Sequence, residues 1–266
     1  MSIHSMSSVH PNAQLASGVT VGPFTLIEDD VEIGEGTVIH NNVTIYAGSR
    51  IGKNVRIFPG AVIGAIPQDL KFAGEYTTAV VGDNTTIREH VTINRGTAAA
   101  MTTVVGKNCL LMAYAHVAHD CILGDNIIIA NNVNLAGHVT LEDHVIIEGQ
   151  CGVQQFVRIG RHSFIAGGSL VRKSVPPYIR AAREPLSYIG VNRIGLQRRG
   201  YSIDTINAIH EIYRILFVKG LNITNAVTEI EASVPVSDER DEVVRFITNT
   251  ERTGIIRSFQ ALQDVA

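Results

Sequence analysis

Tryptophan is absent from this 266-residue sequence, and cysteine occurs only three times. Cys109, Cys121 and Cys151 form no CxxC pair, and their odd number argues against a disulfide framework. No run of about 18 apolar residues is present, as a membrane-spanning helix would require. The segment Met1 to His10 lacks the charged and apolar regions of a signal peptide, so we expect a cytoplasmic protein.

Short motifs of several common chemistries are also missing. The chain has no GxxxxGK phosphate loop, no GxSxG nucleophile elbow and no HExxH zinc motif. Its net charge of −3 provides no overall attraction to nucleic acid or to an anionic membrane. Any site for an anionic partner must therefore depend on a local cluster of positive charge.

A six-residue repeat is the strongest feature that is present. Stepping by six from Val9 to Val171 meets Ile, Leu or Val at 25 of 28 positions, the exceptions being Asp69, Glu75 and Ala99. This period matches neither a helix nor an alternating strand, so each repeat must form one short flat side of a coil. Three sides make an eighteen-residue turn. The repeat predicts a mainly β protein, a left-handed parallel β-helix.

The residue two positions before each repeat aliphatic is small or β-branched, which suits a narrow interior. All three cysteines occupy this position, so we interpret them as core residues. A glycine often follows the aliphatic residue, as in "IGEG", "IGKN" and "VGDN". We predict that these glycines form the tight corners between sides.

Two interruptions, at about 65–79 and 94–103, leave the phase of the repeat unchanged and are predicted to be loops extruded from a continuous coil. The repeat ends at Val171, and "VPPY" follows. We therefore predict two domains, a β-helix over residues 1–178 and an α-helical domain over 179–266. Helices are expected at 202–219, with Ser202 as N-cap, at 224–232 and at 237–250.

Histidines cluster in the segments "AYAHVAHDC" and "LAGHV". His138 lies one eighteen-residue turn after Asp120, so the two segments should lie on adjacent coils. A histidine such as His119 can remove a proton from a sugar hydroxyl, while a neighbouring carboxylate fixes its tautomer. A glycine N–H such as that of Gly137 can stabilise an oxyanion. Solvated wall residues are the alternative interpretation.

Charged groups mark two further segments. The first predicted loop contains Gln68, Asp69 and Lys71, which could hold sugar hydroxyls and phosphate or could simply be solvated. Residues 172–199 carry seven basic side chains against one acid, Glu184. This local excess of positive charge favours an anionic partner.

Several segments together resemble one family. "PQDLKFAGE", "INRGT", "AHVAHDC", "NNVNLAGHV", "VPPY" and "GLQRRG" occur in the order found in UDP-N-acetylglucosamine O-acyltransferases, and the resemblance covers nearly the whole chain. It implies a homotrimer with sites between subunits. It also implies transfer of an (R)-3-hydroxyacyl chain from acyl carrier protein to the 3-hydroxyl of UDP-N-acetylglucosamine, the first step of lipid A biosynthesis.

The resemblance assigns roles to individual residues. It makes His119 the general base, Asp120 its orienting carboxylate and Gly137 the oxyanion donor, and it makes Gly167 the ruler of acyl-chain length. It implies no metal and no bound cofactor, the acyl chain being carried on the phosphopantetheine of acyl carrier protein. The implied substrate-binding residues are Gln68, Asp69, Lys71, His116, His138, Gln155, Asn192, Arg198 and Arg199.

Two positions depart from the family pattern. Gln154 stands where the best-known members have histidine, and Ile194 stands where they have glutamate. Both departures concern the acceptor site. An acceptor with a 3-amino group in place of the 3-hydroxyl is therefore an alternative.

Three other functions remain open at this point. A γ-type zinc carbonic anhydrase would use His116, His119 and His138 as metal ligands. A non-catalytic solenoid would use the extruded loops for assembly. A coenzyme A-dependent sugar N-acetyltransferase would share the coil and the histidine base, and comparison of the two donors would distinguish it.

Overall fold

The computed structural model describes residues 1–249 and 252–259. A coil of short strands occupies most of the chain, and every third strand joins the same sheet. The coil strands are β1 (Ser2–Ile3), β2 (Ser8–Val9), β3 (Gln14–Leu15), β4 (Thr20–Val21), β5 (Leu26–Ile27), β6 (Glu32–Ile33), β7 (Val38–Ile39), β8 (Thr44–Ile45), β9 (Ser49–Ile51), β10 (Arg56–Ile57), β11 (Val62–Ala65), β12 (Thr78–Val81), β13 (Thr86–Ile87), β14 (Thr92–Asn94), β15 (Thr102–Val105), β16 (Leu110–Leu111), β17 (His116–Val117), β18 (Ile122–Leu123), β19 (Ile128–Ile129), β20 (Asn134–Leu135), β21 (Thr140–Leu141), β22 (Ile146–Ile147), β23 (Gly152–Val153), β24 (Arg158–Ile159), β25 (Phe164–Ile165) and β26 (Leu170–Val171).

Three parallel sheets form the three faces of the coil. The first face begins with β1 and β4, the second with β2 and β5, and the third with β3 and β6. Equivalent repeat residues pair in register on successive coils, as Val117 does with Leu135. The predicted fold, a left-handed parallel β-helix, is confirmed.

The repeat aliphatics form the core of the coil. From Val21 to Val171 they are buried, as are the small residues two positions earlier. Burying one such side chain stabilises the fold by roughly 1.5–3 kcal/mol. The three cysteines are free and buried in this stack, as the sequence predicted.

The corners are built differently from the sequence prediction. The left-handed backbone conformation falls three residues after the core aliphatic, often at asparagine, as at Asn42 (φ 55°) and Asn54 (φ 53°). The glycines that directly follow the aliphatic in the three quoted motifs, Gly34, Gly52 and Gly82, are not among the residues with positive φ. A Cβ on Gly34 would lie 2.5 Å from the carbonyl carbon of Gly52 on the next coil. The assignment of corners to these glycines was wrong, because their role is to let adjacent coils approach closely.

Both predicted loops are confirmed. The first runs between β11 and β12, over residues 66–77, and the second between β14 and β15, over residues 95–101. The loops contact each other, since the Ala98 N–H donates to Glu75 Oε1 at 2.9 Å. They therefore form one extruded unit on the coil.

The C-terminal part continues from the first face. It comprises β27 (Ile179–Ala182), β28 (Ser187–Val191), α1 (Arg193–Arg198), α2 (Ile203–Phe217), α3 (Ile223–Ser233), α4 (Asp238–Thr248) and β29 (Arg257–Ser258). β27 pairs in parallel with β25, and β28 adds to it antiparallel. The first sheet thus extends beyond residue 178, while the domain boundary placed there stays a prediction.

The three predicted helices are confirmed as α2, α3 and α4. Ser202 caps α2, its Oγ accepting from the Thr205 N–H at 3.0 Å. The predicted end of the last helix at Thr250 lies outside the described residues. Tyr213 of α2 donates its hydroxyl to Pro177 O at 2.5 Å, so the end of the coil supplies the packing surface. Among the helices that are described, none is both long and apolar enough to cross a membrane.

Candidate active site

Four residues, His119, Asp120, Gly137 and His138, form what we call the histidine corner, between the second and third faces. Asp120 (φ 59°) and His138 (φ 61°) occupy equivalent left-handed corner positions on adjacent coils. The His138 N–H donates to His119 O at 3.0 Å, which joins the two coils at this point. The sequence prediction that these segments are neighbours is confirmed.

His119 and Asp120 are hydrogen-bonded through their side chains. Nδ1 of His119 lies 2.8 Å from Oδ2 of Asp120, and the Asp120 side chain is fully buried. An ionised carboxylate only accepts hydrogen bonds, so the imidazole carries its proton on Nδ1. Nε2 is then free to accept a proton, and no hydrogen-bond partner for it lies among the residues that the structure describes. This is the arrangement of a general base with its orienting carboxylate.

Asp120 has further partners in the second loop and on β15, which the sequence reasoning missed. The Thr97 N–H donates to Oδ1 at 2.8 Å, and the Thr97 hydroxyl donates to Oδ2 at 2.6 Å. The Asp120 N–H donates to Thr103 Oγ1 at 2.8 Å. Burial alone would raise the pKa of Asp120, but the bonds from Thr97 and His119 outweigh burial and lower it below its usual value.

Gly137 lies against the imidazole of His119. A Cβ at this position would lie 2.5 Å from Cε1 and 2.6 Å from Nε2 of His119, closer than real contacts allow. The Gly137 N–H donates to no group within residues 1–249 and 252–259. A side chain is thus excluded here, and a backbone donor stays available beside the His119 ring.

Two further histidines, His116 and His138, lie near His119, which influences the pKa of both. His116 lies on β17, its Nδ1 2.7 Å from Thr92 Oγ1, and burial lowers its pKa. His138 Nε2 lies 3.6 Å from Asp120 Oδ2, and its ring stacks on Phe156 with centroids 4.6 Å apart. Burial also lowers the pKa of His138. Both histidines are therefore kept neutral near pH 7.

The charges of two groups from distant segments of the chain act on His138. The carboxylate of Asp69 raises the pKa of His138, while the guanidinium of Arg252 lowers it, both less strongly than burial does. Arg252 is exposed, and its Cζ lies 3.2 Å from the centroid of the Phe156 ring. The first loop and the C-terminal segment thus border the histidine corner. Sequence reasoning gave no role to Arg252.

The remaining first-loop residues face solvent. Gln68 and Lys71 are exposed, and Asp69 Oδ1 accepts from the Lys71 N–H at 3.0 Å. Gln155 is also exposed and precedes Phe156. Within the described residues, no hydrogen bond or ion pair joins the side chains of Gln68, Lys71 or Gln155 to the histidines of the corner.

A second corner, between the third and first faces, holds other predicted residues. Burial lowers the pKa of Arg199, and its charge acts on His144 and His162, which stack with centroids 4.7 Å apart. We call His144, His162 and Arg199 the arginine corner. The whole third face separates it from the histidine corner, so one chain does not bring the two together.

Asn192 and its neighbours lie beside the arginine corner. Asn192 is buried and caps α1, with Oδ1 accepting from the Gly195 N–H at 3.3 Å and Nδ2 donating to His162 O at 2.8 Å. Its side chain therefore already joins the coil to the helical part. Arg198 and Ile194 are exposed on α1.

A groove of about 410 Å³ follows the second face from His116 to Arg172. Its floor is the register column His116, Asn134, Gly152 and Leu170. Gln154 lines the groove. Gly167 is exposed on the corner before Leu170, where a Cβ would meet only Gly149 O at 3.3 Å and the Glu148 side chain.

One group of possible metal ligands occurs among the described residues. His119, Asp120 and His138 place ligand atoms within 4.8 Å of one another, whereas His116 is not part of the group. Both Asp120 oxygens already accept hydrogen bonds from Thr97. The three-histidine zinc site of a γ-type carbonic anhydrase is therefore not assembled within this part of the chain, and the residues fit a hydrogen-bonded dyad better than a metal site.

Comparison with known proteins finds relatives that match nearly the whole chain. The C-terminal family described as UDP N-acetylglucosamine O-acyltransferase, domain 2, matches residues 175–256, and the bacterial transferase hexapeptide family matches residues 30–65 and 102–137. A Xanthomonas oryzae acyl-[acyl-carrier-protein]–UDP-N-acetylglucosamine O-acyltransferase is 48% identical over 253 residues, covering 94% of this chain and 96% of the relative. A Paracidovorax citrulli protein of the same name is 52% identical over 231 residues, covering 86% and 88%. The crystal structure of a UDP-N-acetylglucosamine acyltransferase from Bacteroides fragilis matches with a TM-score of 0.94 at 49% identity, covering 96% of this chain and 99% of that one.

Proposed function

The chain belongs to the UDP-N-acetylglucosamine O-acyltransferase family, and we propose that it transfers an (R)-3-hydroxyacyl chain from acyl carrier protein to the 3-hydroxyl of UDP-N-acetylglucosamine. The donor and the acceptor are those in the names of its relatives. The enzyme is therefore an acyltransferase. We propose that this reaction is the first step of lipid A biosynthesis and that it takes place in the cytoplasm.

The observation that carries the proposed mechanism is the His119–Asp120 hydrogen bond. Nε2 of His119 removes the proton of the sugar hydroxyl while its oxygen attacks the thioester carbonyl. Asp120 stabilises the resulting imidazolium, and the Gly137 N–H stabilises the oxyanion. Collapse of the tetrahedral intermediate breaks the C–S bond, and His119 returns its proton to the phosphopantetheine sulfur. Every proton is thereby accounted for without a metal or a bound cofactor.

The acceptor sugar is proposed to lie against the histidine corner. Asp69 and Gln68 would bind its hydroxyls, while Lys71 would bind phosphate. His116, His138 and Gln155 would line the same pocket. This assignment is supported by the negative charge of Asp69, which raises the pKa of His138 and so indicates that the first loop lies near the histidine corner.

The nucleotide and the donor are proposed to bind between subunits of a homotrimer. Asn192, Arg198 and Arg199 would contact the nucleotide or the phosphopantetheine and the acidic surface of acyl carrier protein. Support comes from the separation of the two corners by the third face, since a second copy could place its arginine corner against the histidine corner of the first. The shared site would then require assembly.

The acyl chain is proposed to follow the groove on the second face. Gly167 would act as the ruler of chain length, because it lies at the corner preceding Leu170, which lines the far end of that groove. Without a side chain at residue 167, a long chain fits.

Product analysis tests the proposed reaction. The protein is incubated with a mixture of hydroxyacyl carrier proteins and with both acceptors, UDP-N-acetylglucosamine and its 3-amino analogue. Mass spectrometry should find the ester of the first acceptor. If the only product is an amide of the 3-amino analogue, the acceptor differs from the proposed one, and Gln154 and Ile194 would account for the change. If acyl transfer occurs only from coenzyme A thioesters, the proposed donor is refuted.

A further inference from the structure

Thr97 lies in the second extruded loop, away from the six-residue repeat, and is 7% exposed. It holds both oxygens of the Asp120 carboxylate, with its N–H donating to Oδ1 at 2.8 Å and its hydroxyl donating to Oδ2 at 2.6 Å. Oδ2 is also the oxygen that accepts from Nδ1 of His119. The loop therefore contacts the dyad at the atom that connects its two members.

The direction of the Thr97 hydroxyl is fixed by a third bond. The Ala99 N–H donates to Thr97 Oγ1 at 3.2 Å and occupies one lone pair of that oxygen. The hydroxyl proton can then point towards Asp120. Two donors from one residue prevent the carboxylate from rotating, so Oδ2 stays aligned with the imidazole.

The loop itself is held by the first loop. Glu75 accepts from the Ala98 N–H through Oε1 and from the Ala73 N–H through Oε2, each at 2.9 Å. The Met101 N–H donates to Thr97 O at 2.7 Å and closes the turn. Contacts between the two extruded loops thus help to hold Thr97 in position against Asp120.

We propose that Thr97 is a positioning residue for the acyl transfer, acting through Asp120 on the tautomer and orientation of His119. This inference rests on the proposed function of His119 as general base. The hydroxyl keeps Asp120 ionised and Oδ2 directed at Nδ1. Without it, the carboxylate gains a proton more easily and loses its fixed orientation.

Thr97→Val removes the hydroxyl at nearly constant shape. The matched control is Thr85→Val, because Thr85 is also buried, donates to Gly106 O at 2.9 Å and accepts from the Cys109 N–H at 3.1 Å, within the coil core. We expect kcat of Thr97→Val to fall roughly 10- to 100-fold, with KM for UDP-N-acetylglucosamine unchanged. We also expect the acidic limb of its pH–rate profile to move to higher pH, because the pKa of Asp120 rises. Thr97→Ser should restore both properties.

Three outcomes separate the possibilities when His119→Ala is measured in the same assay. The first outcome is that His119→Ala loses activity, while Thr97→Val has the same rate and pH profile as Thr85→Val. This result would overturn the role of Thr97 and leave the role of His119 intact. Full activity in His119→Ala would instead refute the base itself. Thr97→Cys, with a weaker donor, should give an intermediate shift even if the valine variant does not fold, and a wild-type profile for it would contradict the proposal.

Discussion

Nδ1 of His119 and Oδ2 of Asp120 lie 2.8 Å apart, although the two residues are consecutive in the chain and Asp120 turns the corner of the coil. The left-handed conformation of Asp120 bends the backbone so that its side chain returns towards the preceding imidazole. A left-handed residue, which most corners of the coil contain, thereby brings together the two members of the proposed catalytic dyad.

Asp120→Asn should remove a pH-dependent contribution to stability. The folded-state pKa of Asp120 is lowered, so ionised Asp120 stabilises the fold above its unfolded pKa of about 3.9, and this stabilisation is lost as pH falls through the folded value. The wild type should therefore exceed the variant in free energy of unfolding at pH 7, and the difference should shrink at acidic pH. Urea titrations at several pH values measure it, and a difference independent of pH would contradict the assignment.

The charges around His138 should shift its pKa in opposite directions. Arg252→Ala removes a positive charge and should raise the pKa of His138, while Asp69→Asn removes a negative charge and should lower it. NMR titration of the histidine ring protons measures both shifts. Arg257→Ala, which changes an exposed residue of the same C-terminal segment, serves as control. Equal shifts in all three variants would show that neither charge acts locally.

Gly137→Ala should displace the base without unfolding the coil. The new Cβ would lie 2.5 Å from His119 Cε1, so the imidazole must move away from the acceptor. Since loss of a positioned general base costs roughly 10²–10⁴-fold in rate, we expect a comparable fall in kcat. Steady-state kinetics measure this, with circular dichroism to verify the fold. A fully active alanine variant would show that the imidazole can adapt.

Periodic features of this protein could be predicted from sequence, and non-periodic ones could not. Stepping by six located the core, and the eighteen-residue coil placed Asp120 beside His138. The same periodicity did not reveal that Asn42 and its equivalents turn the corners. The conspicuous glycines that directly follow the core aliphatic residues suggested corners, but they allow adjacent coils to pack closely instead.

The missed residues lie on segments outside the repeat. Thr97 reaches Asp120 from an extruded loop, and Arg252 reaches Phe156 from the end of the helical part. Their positions depend on tertiary contacts that no local pattern encodes. The family resemblance implied that Arg198, Arg199 and His119 serve the same active site. Within one chain, however, the third face lies between the two arginines and His119.

The proposed role of His119 is tested by the second-order rate constant kcat/KM of His119→Ala for acyl transfer from hydroxyacyl carrier protein to UDP-N-acetylglucosamine. The matched control is His90→Ala, which alters a corner histidine that stacks on Tyr114 away from the histidine corner. We predict a fall of roughly 10²–10⁴-fold for His119→Ala, with thermal stability retained, and near wild-type activity for His90→Ala. Wild-type kcat/KM in His119→Ala would show that this histidine is not the general base.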